Sequence, residues 1–510
     1  MCMQKLGNPD QDQGHRTAAY IKAQKDMLMQ SVRGPQPESA LDSFYNDMSA
    51  LCSRPESCVN HMHLNGIIGA AAKAWTPAWA RLDQQKQQQA CHEMHAFLTE
   101  MFQRLQPLLP DLEARQAANM FWSSAKLGVN PDALVPGMTD SLAHQFMADM
   151  DAAIGQHFAN VLVACAKLQV KPCHGGLVKA ICGRLTIVSM STFASQAVAN
   201  TLHSLVAIPA AAPSVEVLDA LCQRFGVLLK SRQATELPDA QNIANTMWAL
   251  SELKYAPSDE LAMSMVGRMV ALCNVPGQQP TPQGISNVLL ACAQLRVPVQ
   301  QADTDSLASF FLSSNRRQGT QQEYANTAWS PAVIGRLRRT QLTLMLDQLL
   351  ALSGKPSEMS TPPQLTSAEL TQLYQALDWL QPHPAAPAQQ QSAWSSLQGK
   401  LHRMGPRPAP DKPPFLGNRK LCAALEQLQL SFRARVLIQS YWVDAVLQSQ
   451  DSKTQPITLR LSTPDYITNI PGRSCTTRTD CTTFADASAC TCVFVHKGHQ
   501  MWPVSLVCYL

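Results

Sequence analysis

Six segments of the 510-residue chain carry the same polar side chains at the same spacing. Aligned on Asn119, Asn160, Asn200, Asn245, Asn287 and Asn326, each has Arg or Gln four residues earlier: Arg115, Gln156, Gln196, Gln241, Gln283 and Gln322. Three residues after the asparagine stand Trp122, Val163, His203, Trp248, Leu290 and Trp329. The chemistry open to such groups is recognition. A Gln amide offers donor and acceptor together and matches base edges, a Trp face stacks on a base, and a cation attracts phosphate. Each column also has a plainer reading. The Gln side chains can sit in a first helical turn and face water. For the asparagines, an amide hydrogen bond to a neighbouring repeat's backbone is preferred, because one residue type in every repeat cannot encode a varied sequence. The tryptophans stand among apolar positions, which favours core packing.

Catalytic constellations are thin. The chain has no GxxxxGK[ST], HExxH or GxSxG, so phosphate-loop, zinc-protease and serine-hydrolase chemistry find no support. Cys475, Cys481, Cys490, Cys492, His496 and His499 cluster near the end, but their spacings do not form the short paired knuckles of structural zinc sites. The expectation is a protein that is not an enzyme and uses no cofactor and no metal. Further basic spots are Arg316 and Arg317, Arg336, Arg338 and Arg339, and Arg419 and Lys420. The last two lie in the stretch Lys400–Arg435, where eight basic residues face two acidic ones. That stretch reads equally as a non-specific phosphate clamp and as a solvated linker.

The elements that must position these groups follow from the apolar columns. The asparagines are separated by 41, 40, 45, 42 and 39 residues, the length of a helical hairpin with its turns. A small residue precedes each Asn, and another follows four residues later, as in Ala244 and Ala249. Eight residues on, every segment has Leu or Ile: Leu127, Leu168, Ile208, Leu253, Leu295 and Ile334. Offsets of three and four put such positions on one helical face. That column is therefore expected in the core, where Leu253→Asp would bury an unpaired charge. Breakers such as Asn130-Pro131-Asp132 and Pro257-Ser258-Asp259 then start a second amphipathic run. Worn copies flank the six, around Asn65 and from Glu369, where Gln372 takes the Asn column. Pro331 inside the sixth copy is expected to kink or shorten its helix.

Composition agrees with a folded chain too long for one core: 45% hydrophobic, 15% charged, and a formal charge of only +4. The sixteen cysteines are scattered, and Cys165, Cys182, Cys222, Cys273 and Cys292 fall inside helix-like runs, so they read as reduced core residues. No apolar run approaches a membrane span, so no membrane insertion is expected. The first 25 residues make a poor transit peptide; either targeting is atypical or the true start is missing.

These columns resemble the octotricopeptide repeat family, whose helix signature is approximately A-N-x-x-W-A-x-A-x-L; Ala244-Asn245-Thr246-Met247-Trp248-Ala249-Leu250 is the nearest copy. The family is similar in architecture to pentatricopeptide repeats and to FAST-kinase-like proteins. The resemblance implies an all-α fold, a right-handed α-solenoid of roughly 40-residue helix–turn–helix repeats, ending in a small, incomplete α/β piece resembling a RAP domain. Leu421–Gln448 resembles the helical run-up to that domain, and Ile457–Arg473 its opening strand and loop. The loop reads Ser462-Thr463-Pro464-Asp465-Tyr466-Ile467, where the family's acidic residue, Gly and His are all replaced. After Arg473 the resemblance stops, and one reading is a misread exon or frameshift. The organisation expected is a partly disordered extension over 1–57, the array over 58–382, a Pro/Gln-rich linker over 383–417, the RAP-like segment over 418–473 and a poorly ordered tail over 474–510.

What the resemblance implies for function is selective binding of single-stranded organellar RNA, in chloroplast or mitochondrion, serving processing, stability, splicing or translation. Other RNA-processing proteins in a ribonucleoprotein complex are possible partners. Arg115, the five glutamines of its column, Arg336, Arg338, Arg339, Arg419 and Lys420 are the candidate RNA contacts. The six asparagines with Trp122, Trp248 and Trp329 are the residues that define the repeat. A protein-binding solenoid scaffold and an RNA endonuclease acting through the RAP-like region stand as alternatives; the replacements at Ser462 and Thr463 argue against the second.

Overall fold

Around each column asparagine, the residues one before, one and two after, and four and five after are small or apolar in most copies. That pattern covers most of a helix in surface that must be buried and leaves one polar stripe. In the computed structural model every such segment is a helix. It describes residues 9–54, 57–168, 175–187, 190–208, 213–313, 319–353, 365–382 and 386–407, with five strand segments between 432 and 504. The chain divides into two units, Met1–Leu237 and Pro238–Leu510.

The first unit contains α1 (Pro9–Ser31), α2 (Pro37–Cys52), α3 (His61–Trp79), α4 (Gln84–Leu105), α5 (Ala114–Leu127), the single turn α6 (Pro131–Leu134), α7 (Met138–Ala148), α8 (Gly155–Lys167), α9 (Gly175–Leu185), α10 (Ser195–Ala207) and α11 (Val215–Leu229). A front row runs α1, α3, α5, α8, α10, each helix packed on the next. Behind it, α2 packs on α4 and α7 on α9, with α9 against α11. The second unit repeats the scheme. Its front row is α12 (Ala240–Glu252), α14 (Pro282–Leu295), α16 (Gln321–Val333) and α18 (Ser367–Trp379). Its back row is α13 (Asp259–Cys273), α15 (Gln301–Ser313), α17 (Arg339–Ser353) and α19 (Ala388–Met404). Each unit is an α-solenoid of stacked hairpins: one hairpin cannot bury its apolar faces alone, and its neighbours do so. No described helix is long and apolar enough to cross a membrane.

The small columns do the work expected of them. Ala118, Ala159, Ala199, Ala244, Ser286 and Ala325, and the six residues five positions on from Ser123 to Ser330, are all at most 3% exposed. Front-row helices therefore meet across Ala and Ser, close enough that no larger side chain intervenes. Between the rows lie larger groups. Phe158 stacks on Phe193 at 6.2 Å and meets Phe146 edge-on at 5.8 Å. A Cβ added to Gly155 would stand 2.5 Å from the Phe193 ring, so only glycine fits there. The thiols of Cys165, Cys222 and Cys292 are free and buried, and burial pushes each up to about 12. Cys182 is only half-buried.

Several expectations change. The first 57 residues do not form a partly disordered extension where they are described: α1 and α2 make one more hairpin on the array. The reason is the apolar face of α2, whose Phe44 and Tyr45 meet Phe97 of α4, the Tyr45 and Phe97 rings stacked at 4.4 Å. Pro331 does not shorten α16, which has the same 13 residues as α8, α10 and α12. It sits in the last turn, and its own carbonyl accepts from the amides of Arg336 and Leu337. The column eight after each Asn is at the helix end, not in the core: Leu127 is buried, but Leu168, Ile208, Leu253, Leu295 and Ile334 are half-exposed. The interior position is five after, as at Leu250, which is 0% exposed.

Beyond α19 the second unit holds five strands: β1 (Phe432–Ile438), β2 (Tyr441–Leu447), β3 (Ile457–Leu461), β4 (Val493–Lys497) and β5 (Gln500–Val504). They pair antiparallel in the order β1-β2-β3-β4-β5. A strand opens at Ile457 as expected. The stretch expected as a helical run-up contains β1 and β2 instead, in keeping with its Val, Ile, Phe, Tyr and Trp content. The segment expected as a poorly ordered tail contains β4 and β5. The loop Ser462–Ile467, Arg316, Arg317, Arg419, Lys420, the cysteines from Cys475 to Cys492 and His499 lie outside the described residues.

Two outcomes follow from this packing. Leu250→Asp is expected to destabilise the second unit by about 4 kcal/mol or more, since the charge enters a sealed interface, whereas Leu253→Asp should cost about 1 kcal/mol or less; urea titration followed by circular dichroism separates the two. The other concerns Asp42 of α2 and its neighbour Glu93 of α4. Burial, then the hydrogen bond and charge of Glu93, push Asp42 up to about 7. A carboxyl raised in the native state contributes its full stability below its unfolded value and loses it as pH rises through the native one. Asp42→Asn should therefore be more stable than the native chain at about pH 8, with the gap narrowing towards about pH 5.

Candidate nucleic-acid interface

At 3.6 residues per turn, positions four before the Asn, the Asn itself, three after and seven after fall within about 60° of one another around the helix. They form the stripe that the front row leaves uncovered. On α5 the stripe is Arg115, Asn119, Trp122 and Lys126; on α8 it is Gln156, Asn160, Val163 and Lys167; on α10 it is Gln196, Asn200, His203 and Ala207. Arg115, Gln196, Lys126, Lys167 and His203 are exposed, Gln156, Asn119, Asn200, Trp122 and Val163 half-exposed, and Asn160 is 9% exposed.

In the first unit these stripes open onto a groove of about 630 Å³ that crosses α1, α3, α5, α8 and α10. Its wall includes Lys25, Lys73 and Arg115, the amides of Asn65, Asn119, Gln156, Asn160 and Gln196, the thioether of Met62 and the ring of Trp122. Among the described residues, no carboxylate lines it. Cations of one front-row helix act on imidazoles of the next. Burial, and then the positive charge of Arg115, hold the His157 imidazole below its usual range. Burial, and then Lys167, do the same for His203. Both effects disfavour the protonated imidazole.

The second unit has the same stripe with other chemistry: Gln241, Asn245, Trp248 and Glu252 on α12; Gln283, Asn287, Leu290 and Gln294 on α14; Gln322, Asn326, Trp329 and Val333 on α16. On α18 the matching places are Ala368, Gln372, Gln375 and Trp379. Gln241, Gln283 and Gln322 are exposed, and Asn245, Asn287, Trp248 and Trp329 are half-exposed.

The asparagines are held differently from the expected backbone contact. Within a helix, Gln156 Nε2 donates to Asn160 Oδ1 at 2.7 Å and Gln322 Nε2 donates to Asn326 Oδ1 at 2.8 Å. Across repeats, Gln372 Nε2 donates to the same Asn326 Oδ1 at 3.0 Å and Gln322 Nε2 reaches Gln372 Oε1 at 3.3 Å. Amide meets amide along the face, so the polar columns cross-link where they touch. The tryptophans also differ from the core reading: Trp122, Trp248 and Trp329 lie on the stripe and are half-exposed. Trp329 Nε1 donates to Gln375 Oε1 at 2.7 Å, which fixes that ring.

Three candidates leave the interface. Arg336, Arg338 and Arg339 lie beyond the end of α16 and bind the back row. Arg338 grips Asp305 of α15 through Nε at 2.9 Å and Nη2 at 2.5 Å. Arg336 Nε donates to the Val299 carbonyl at 3.3 Å, and Arg339 Nη1 to that of Gln390 at 3.3 Å. Each has a local carboxylate or carbonyl partner, while Arg336 and Arg338 stay exposed. Lys25, Lys73, Lys126 and Lys167 were missed; the seventh place after each Asn carries the signal for Lys126 and Lys167, whereas Lys73 stands eight after Asn65, one place off that column. Nothing in the repeat pattern pointed to Lys25.

No family model matches the chain and no curated protein matches it. Among solved structures, a crystal structure of an engineered protein is similar over 75% of this chain and 98% of its own length, at 13% identity and a TM-score of 0.31. A likeness of that degree carries no argument.

Asn326 is 7% exposed and accepts from two amides. Asn326→Leu should strand both donors and cost about 1–3 kcal/mol, whereas the same change at half-exposed Asn245 should cost less; urea midpoints of the two variants give the comparison.

Proposed function

We propose that the protein binds single-stranded RNA along the front-row face, as a binder rather than a catalyst. The observation that carries this reading is the groove of the first unit, where cations, side-chain amides and an indole share one wall without a carboxylate. Each class of group matches a part of a nucleotide. Lys and Arg attract phosphate and release its counterions. Gln and Asn amides pair with unstacked base edges, and Trp stacks on their faces. A single strand offers edges and faces that a duplex conceals. Helical repeats that read one or a few nucleotides each are a known solution to that problem. The octotricopeptide-like columns support the same reading and supply its setting: an organellar transcript, bound to control its processing, stability, splicing or translation.

The test uses the full chain and a pool of random-sequence single-stranded RNA. Retention that weakens steeply with salt, with selected sequences enriched over the pool, is the expected result. Replacing Gln196, Gln241 and Gln283 together by Ala should re-tune the enriched sequences while leaving circular dichroism unchanged, since all three are exposed. Unaltered selection would take those glutamines out of the reading face. No retention of RNA even at low salt would sink the proposal and leave a protein-binding scaffold.

A further inference from the structure

We infer that the two units hold RNA by different chemistry: the first unit grips the phosphates, and the second holds the bases. This rests on the RNA-binding reading above. Its source is a comparison of the same stripe positions in the two units.

In the first unit, cations recur along the stripe. Arg115 opens it on α5, and Lys126 and Lys167 close it on α5 and α8, while Lys73 of α3, one place past the seventh, and Lys25 of α1 line the groove beside Arg115. Lys73, Arg115, Lys126 and Lys167 are exposed. Arg115 and Lys167 also act on imidazoles of the next front-row helix, His157 of α8 and His203 of α10, which burial first and these charges second hold below their usual range. Aromatic surface is sparse by comparison, with Trp122 on the stripe.

A lysine in the last helical turn has a plainer role, complementing the helix dipole. That role would apply equally to every front-row helix. In the second unit it is unused: α12, α14, α16 and α18 have no basic residue in their last turns. Their seventh places hold Glu252, Gln294, Val333 and Trp379, and none of their stripe positions is Lys or Arg. What they hold instead is indole and amide. Trp248 and Trp329 are half-exposed, Trp379 is 53% exposed, and Trp329 is pinned in place by Gln375. These stripe positions carry no cation to attract phosphate, and Glu252 repels it. It suits bases, whose stacking on aromatic rings is uncharged and tolerant of salt.

The two roles separate in a salt titration. Binding of single-stranded oligouridylate to the full chain is measured by fluorescence anisotropy over a range of KCl. Charge removal through Lys73→Gln, Arg115→Gln, Lys126→Gln and Lys167→Gln together should flatten the slope of log K against log[KCl] by about 0.7 for each cation lost. The variant should unfold at the same temperature as the native chain, because all four side chains are exposed. Trp248→Leu with Trp329→Leu keeps apolar volume while removing the rings; it should lower affinity about ten-fold or more at every salt concentration and leave the slope unchanged. An oligomer of abasic ribose phosphate should bind the native chain and the Trp variant alike. If native RNA binding is seen but the four-cation variant keeps its slope, or the Trp variant changes it, the division of roles is wrong while the RNA reading stands. If the native chain binds no RNA, both fall together.

Discussion

Close contact between successive front-row helices is the constraint on which the rest of this structure depends. It is made across Ala and Ser one before and four after each column asparagine, all at most 3% exposed. Helices that meet over such small side chains leave little room for the residues between them to turn inwards. The positions at four before, zero, three after and seven after are thereby forced to one open side. A helix face that is otherwise wrapped in apolar surface has nowhere else to put polar groups. Small residues at two columns thus build, within each unit, a polar surface out of separate helices.

The two units share this pattern but carry two chemistries. Along the first unit, positive charge recurs and carboxylates are absent from the groove wall. Along the second, amides and indoles dominate, and the amides of Gln322, Asn326 and Gln372 bond one another across repeats. The interior differs little between the units, since packing tolerates only small or apolar groups at its columns. The stripe is free to vary because solvent, not a neighbouring helix, stands opposite it. Function can be written there without disturbing the stack.

Local partners decide which charges remain available to a ligand. Arg338 is held in a two-point contact by Asp305, with Gln341 on the same carboxylate. Arg407 likewise bonds Asp378, only 5% exposed, and lies over the Tyr374 ring at 4.8 Å. These arginines close the back and end of the second unit. Lys73, Lys126 and Lys167, by contrast, stand on helices whose facing stripes carry amides and imidazole, and they stay exposed.

The sequence by itself determined the hairpin unit, its register and the two small columns, because burial against an identical neighbour imposes the same residue types at the same spacing six times. It also marked Arg115 and the glutamines as polar, though not the face they share with Trp122, Trp248 and Trp329. Tertiary structure decided that face: three residues after the asparagine is a stripe position in this packing, and apolar neighbours in sequence lie on the other side of the helix. It also decided that the Leu and Ile column ends the helix half-exposed, because the chain turns there towards the back row. The hairpin α1–α2 was missed because it carries no column asparagine; only its packing on α3 and α4 makes it part of the array. Partners distant in sequence, such as Arg338 with Asp305 or Gln372 with Asn326, are set by which helices become neighbours, and a one-dimensional pattern holds no record of the side chain standing opposite.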